Sequence, residues 1–132
     1  MRKISAFLLI FLGTFFYAQI SKAYLVGIWR VENVSFNKKN STLEQKSKME
    51  MLKKMFLKSN FVFKNNNSVD FNFPSPEMAV KNGTWDLQSE SIVSISKGKD
   101  KVMKFFVENK NGKFYFVLAD FQFPYLILEV KK

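Results

Sequence analysis

The chain has 132 residues, 47% hydrophobic and 17% aromatic, which is far too apolar for a disordered segment despite a formal charge of +10. The first eighteen residues read as removable, which leaves about 114 for folding, a length that fits one domain and one core. With Cys 0 and His 0, thiol nucleophiles, disulfides, imidazole acid–base chemistry and the commonest soft metal ligands are excluded.

Arg2 and Lys3 open the chain, and Ile4 to Tyr17 is a nearly unbroken apolar run. A charged start followed by an apolar block without amphipathic period reads as a secretory signal peptide, and the run is short for a membrane span of ~20 residues. Cleavage is expected after Ala18, giving a signal peptide at 1–18 and a folded domain at 19–132. Phe16, at the third position before that cut, is larger than a peptidase site prefers, and an uncleaved amphipathic anchor stands as the second reading. No Cys follows the run to take a lipid, so the expected product is soluble after cleavage and periplasmic or secreted. That compartment permits disulfides the sequence does not use, and the core alone must hold the fold.

The first strand is expected from Ile28 to Phe36. Ser41-Thr42-Leu43-Glu44 then has capping-box spacing, with the Ser41 hydroxyl on the Glu44 amide and the Glu44 carboxylate on the Ser41 amide. Met49, Leu52, Met55 and Phe56 recur at helical spacing with Lys46, Lys53 and Lys54 on other faces, which predicts one amphipathic helix ending near Lys58-Ser59-Asn60. Seven more strands follow, at Phe61 to Lys64, Val69 to Phe73, Thr84 to Gln88, Ile92 to Ser96, Val102 to Glu108, Phe114 to Ala119 and Tyr125 to Val130. Val69, Phe71 and Phe73 alternate with Ser68, Asp70 and Asn72, as in a sheet with one dry face. In the later strands Val102 and Phe106 oppose Met103, Phe105 and Val107, so both faces are apolar and something must cover or fill both.

Asn65-Asn66-Asn67, Gln88 to Ser91, Lys97 to Asp100 and Asn109 to Gly112 read as tight hairpin turns, so consecutive strands form an antiparallel meander. Loops after the second, fourth and sixth strands fall at one end and are short. The helix, the Pro74 to Met78 loop, the Lys97 turn and the Asp120 to Pro124 loop gather at the other. That is a cup with a tight bottom and an elaborated mouth. Gly27-Ile28-Trp29 and Gly83-Thr84-Trp85 are an internal echo, each opening a strand with a permissive Gly and a plugging Trp.

Leu25-Val26-Gly27-Ile28-Trp29 resembles the Gly-x-Trp opening of lipocalins, and more closely that of small exported bacterial lipocalin-like domains. The resemblance implies an all-β fold, an eight-stranded antiparallel up-and-down barrel with one amphipathic helix between strands one and two. In that family the Trp packs against a late Arg. Arg30 is the only Arg after the signal, so that partner is either missing or replaced, with Lys131 as the candidate. Asp120-Phe121 is similar to the family's Thr-Asp-Tyr loop, but Ala119 stands where Thr should be and the loop lies at the wrong end, so no role is carried over.

A barrel of eight strands either is filled by its side chains or holds one small ligand. On the binding reading, Trp29, Val31, Phe71, Trp85, Phe105 and Phe116 line an apolar pocket bounded at its mouth by Met51, Met55, Phe121 and Phe123. On the other, the same residues are a solid core; the two stay open, because a bulge near Glu32-Asn33 would switch the first strand's inward face. Lys38 to Lys64 holds eight Lys against Glu44 and Glu50, a basic helix suited to an anionic amphiphile or an anionic membrane surface, or simply a solvated face. No nucleic-acid partner, cofactor or metal is expected. Asp70 and Asp86 lie on polar strand faces rather than in a pocket, and no phosphate loop or nucleophile elbow occurs, so no enzymatic activity is expected. The sequons at Asn33, Asn40, Asn66 and Asn82 read as chance in an Asn-rich chain. The expected function is therefore exported binding of a small apolar or anionic amphiphilic ligand, or alternatively a filled barrel acting through its surface as an accessory or interaction module.

Overall fold

The computed structural model describes residues 20–36, 42–89, 91–118 and 126–132. The apolar leader expected over 1–18, Ser41 of the expected capping box, and the Asp120 to Pro124 loop lie outside the described residues. The first described element is α1 (Lys22–Leu25), a single turn too short to carry a periodic signal; Ser21 caps it by accepting the Tyr24 amide at 3.1 Å. Then come β1 (Gly27–Phe36), α2 (Leu43–Phe56), β2 (Asn60–Phe63), β3 (Ser68–Asn72), β4 (Val80–Gln88), β5 (Ile92–Lys97), β6 (Asp100–Lys110), β7 (Lys113–Leu118) and β8 (Leu126–Lys131). Each strand pairs antiparallel with its sequence neighbour, and β1 also pairs with β8, closing an eight-stranded up-and-down barrel. The all-β barrel expected from alternation and hairpins is the one observed, with its helix between strands one and two.

Boundaries move where a bulge breaks the period. β4 begins at Val80 rather than Thr84 because it spends three residues from Val80 to Gly83 where β3 spends two from Phe71 to Val69. Asn82 takes φ 55 there, and both Val80 and Gly83 become buried, which no period-two reading anticipates. In β1 the register with β8 shifts between Val31 and Asn33, so the buried positions run Trp29, Val31, Val34. The change of inward parity suspected near Glu32 is therefore present.

α2 is capped one residue later than its sequence spacing suggests. Thr42 Oγ1 accepts the Gln45 amide at 3.1 Å, and Gln45 Oε1 accepts the Thr42 amide at 3.1 Å. Two overlapping tetrads, Ser41 to Glu44 and Thr42 to Gln45, satisfy the capping rule, and the second is the one formed. The helix stops at Phe56, earlier than expected: Lys58 and Ser59 donate to the Met55 and Phe56 carbonyls, and the buried Ser59 hydroxyl also donates to the Phe56 carbonyl at 2.7 Å. Thr42→Ala is expected to cost about 1 kcal/mol, seen as a lower urea midpoint at unchanged slope.

The interior is a continuous lattice of rings. Phe61 stacks on Phe71 at 4.6 Å between centroids, Phe105 stacks on Phe116 at 4.4 Å, and Phe61 meets Phe116 edge-on at 5.4 Å. Toward one end Phe116 contacts Trp29 at 5.7 Å, and Phe63 contacts Trp85 at 4.9 Å. Toward the other, Phe71 meets Phe73 at 5.1 Å, and Phe73 meets Phe56 of α2 at 4.8 Å. Offset and edge contacts of this kind add about 0.5–1.5 kcal/mol per pair to the roughly 2–3 kcal/mol from burying each ring. α2 is thus fastened by Phe56, its one fully buried side chain, to the top of the barrel core.

Candidate functional site

The two Gly-x-Trp segments come together at the end that carries the short turns and α1. Trp29 Nε1 donates to the Leu25 carbonyl at 2.9 Å, and Trp85 Nε1 donates to the Lys64 carbonyl at 3.0 Å. A lysine lies over each ring: Lys132 Nζ is 5.8 Å from the Trp29 centroid and 4.7 Å from that of Tyr24, and Lys22 Nζ is 5.3 Å from Trp85. Lys132 also donates to the Tyr24 carbonyl at 2.7 Å. The late cation over Trp29 is Lys132, not Lys131, and strand parity explains the difference. Lys131 pairs with Arg30 on the outer face of β8, so only the next residue turns back across the barrel end. Gly27, with φ 140, leaves room for that crossing, since a Cβ there would sit 2.7 Å from Lys132 Cε. This end is a structural plug, built twice.

Of the residues expected to line a pocket, Trp29, Val31, Phe71, Trp85, Phe105 and Phe116 all face inward and are buried in one core cluster, with Trp29 and Phe105 both against Phe116. Met55 is half-buried against the core from α2. Met51, one turn before Met55 and rotated further from the barrel, has 64% of its surface exposed. Phe121 and Phe123 lie outside the described residues. Among the described residues the only buried polar side chains are Ser59, which closes the α2 turn, and Ser94.

The outer carboxylates are structural where the geometry is legible. Asp70 Oδ1 accepts the Asn82 amide at 2.8 Å, and its other oxygen lies 3.3 Å from Lys64 Nζ. The Asn82 N–H, and after it Lys64, hold the Asp70 carboxyl below its usual range against the opposing effect of burial. Asp70 therefore clamps the β4 bulge. Because the folded pKa is the lower one, this contribution is present above the unfolded value near 4 and disappears as pH falls through the folded value. Asp70→Ala is expected to cost on the order of 1–2 kcal/mol at neutral pH, with the gap to the parent narrowing in urea titrations repeated at progressively lower pH. Among the described residues no group of three or more carboxylates is placed to hold a metal ion.

The feature that pattern reading passed over is the outward face of α2. Gln45, Met49, Leu52 and Phe56 face the barrel, so Leu43, Ser47, Glu50, Met51 and Lys54 face away. Leu43 is 85% exposed, and with Met51 and the stems of Lys46 and Lys54 it lines a shallow open depression. Met51, expected at the mouth of the barrel, belongs instead to this outward face. Comparison of the chain with known protein families, with curated proteins and with solved structures finds no match to any of them.

Proposed function

We propose that this chain is an exported, non-catalytic, lipocalin-like barrel that works from its surface as an accessory or interaction module. The observation that carries the reading is the ring lattice from Trp29 and Trp85 up to Phe56, in which the six residues best placed to line a pocket are already in contact with the core. The antiparallel barrel, the Gly-x-Trp opening and the cation over Trp29 support the lipocalin-like character. The charged start and apolar run at the N-terminus support export. The outward face of α2, with Leu43 and Met51 between Lys46 and Lys54, supports engagement of an anionic membrane surface.

Native mass spectrometry of protein recovered gently after export from its own host, compared with the denatured mass, tests the filled interior. A bare mass, with no saturable binding of an apolar fluorophore to the folded protein, is the expected result. A discrete extra mass released on denaturation would overturn it in favour of a ligand-holding barrel and would begin to identify an apolar or anionic amphiphilic cargo. For the surface, the parent is expected to co-sediment with vesicles containing anionic lipid and not with neutral ones, and to lose that binding in added salt.

A further inference from the structure

We infer that the outer face of β5 to β8 is the docking surface for a second copy of this chain, packed about a twofold axis that runs along one row of the sheet. The registers align Ile92 with Phe106, Phe106 with Val117, and Val117 with Ile127 on four consecutive strands. Val93, Phe105 and Phe116 point into the core, so by alternation the four aligned residues stand outside. They form an unbroken apolar line across the barrel wall. Phe106 keeps 40% of its surface exposed, and Val102, on the same face of β6, is also exposed. Such a line lies outside the core and gains by leaving water.

The charges beside the row select the occupant. On β6, Lys104 stands two residues before Phe106 and Glu108 two residues after it, on opposite sides of the row. Glu129 lies on the Glu108 side, linked to it in register through Tyr115. A half-turn about the row sets Phe106 against Phe106 of the second copy, and it carries Lys104 over Glu108 in both directions. A twofold interface requires a patch that complements itself in this way. Elsewhere this basic molecule repels its own copy, and here opposite charges are positioned to attract. Glu108 lies 3.5 Å from Lys110 yet keeps 46% of its side chain exposed, so it can also meet a cation from the facing molecule.

The patch is small, and the dimer is expected to be weak and concentration-dependent. Sedimentation velocity on protein recovered after export, from about 5 to about 500 µM, is expected to pass from monomer to dimer as concentration rises. Lys104→Glu and Glu108→Lys are each expected to weaken dimerisation tenfold or more, and the double variant to regain it, because the pair is then reversed on both copies. Phe106→Ser is expected to abolish it. Near-ultraviolet circular dichroism, which reads the Trp29 and Trp85 environments in the core, checks that each variant remains folded. The inference is overturned if the parent stays monomeric throughout, if the dimer is indifferent to these charges, or if the double variant fails to restore what the single ones lose. A stoichiometric complex with a different protein that competes for the same face and leaves no self-association would also overturn it. None of these outcomes bears on whether the barrel interior is filled.

Discussion

Replacing Phe61 with Ala is expected to remove about 3–5 kcal/mol of stability and, in the same protein, to create a site that binds benzene. Phe61 has no exposed surface and is the hub of the lattice, touching Phe63, Phe71, Phe105 and Phe116. Its neighbours come from β2, β3, β6 and β7, so no single strand can move in to close the gap without disturbing the barrel registers. The lost transfer energy is therefore joined by most of the cavity term. For a domain of this size the loss corresponds to a fall in Tm of about 4 °C per kcal/mol. Thermal melts with and without benzene check both halves. The variant should melt lower and recover several degrees with the ligand, whereas the parent should show no benzene response. A parent that is itself stabilised by benzene would mean that a cavity already exists.

Gly83→Ala is expected to be the most damaging change of a single small residue, costing about 2–3 kcal/mol. The cause is space rather than backbone conformation, since Gly83 does not have a positive φ. A Cβ there would lie 2.5 Å from Val80 Cγ1 and 2.8 Å from the Ser96 carbonyl oxygen. Val80 is held in the core and Ser96 O belongs to the neighbouring strand, so neither can retreat cheaply. Gly98→Ala provides the contrast. At that turn φ is 61 and nothing lies within 4 Å of the added carbon, so the cost should be only about 1 kcal/mol, from the backbone alone. Urea denaturation of both variants separates crowding from conformational strain, and equal losses would contradict the distinction.

The relation of chain to structure differs from element to element. The hairpins at Asn65 to Asn67 and Asn109 to Gly112 are written locally, in residues that accept the positive φ found at Asn67, Asn111 and Gly112. With them came the strand order, and hence the closed meander. The helix was equally legible as an amphipathic run, down to Leu52, Met55 and Phe56 on its inner face, but its cap was not, because Ser41 to Glu44 and Thr42 to Gln45 carry the same local signal. The β4 start was hidden for another reason. A bulge needs a partner strand to define it, and Asn82 reveals its role only when Asp70 and Gly83 lie beside it.

The same division runs through the candidate sites. Trp29, Phe71, Trp85, Phe105 and Phe116 were identifiable as inward residues from alternation with a period of two. Whether their rings would enclose a space or exclude one depends on centroid distances near 5 Å between residues far apart in sequence, as for Phe61 with Phe116. The cation over Trp29 required knowing that β8 ends with Lys131 facing out. The row from Ile92 to Ile127 exists only through the registers of three strand pairs. By itself the sequence determined what depends on short-range periodicity and composition: an all-β chain, its strand succession, one amphipathic helix and the charge it carries. Only the tertiary structure decided what depends on register and volume, namely the bulges, the ring lattice inside the barrel and the outer apolar row, because those are relations between residues that no local pattern links.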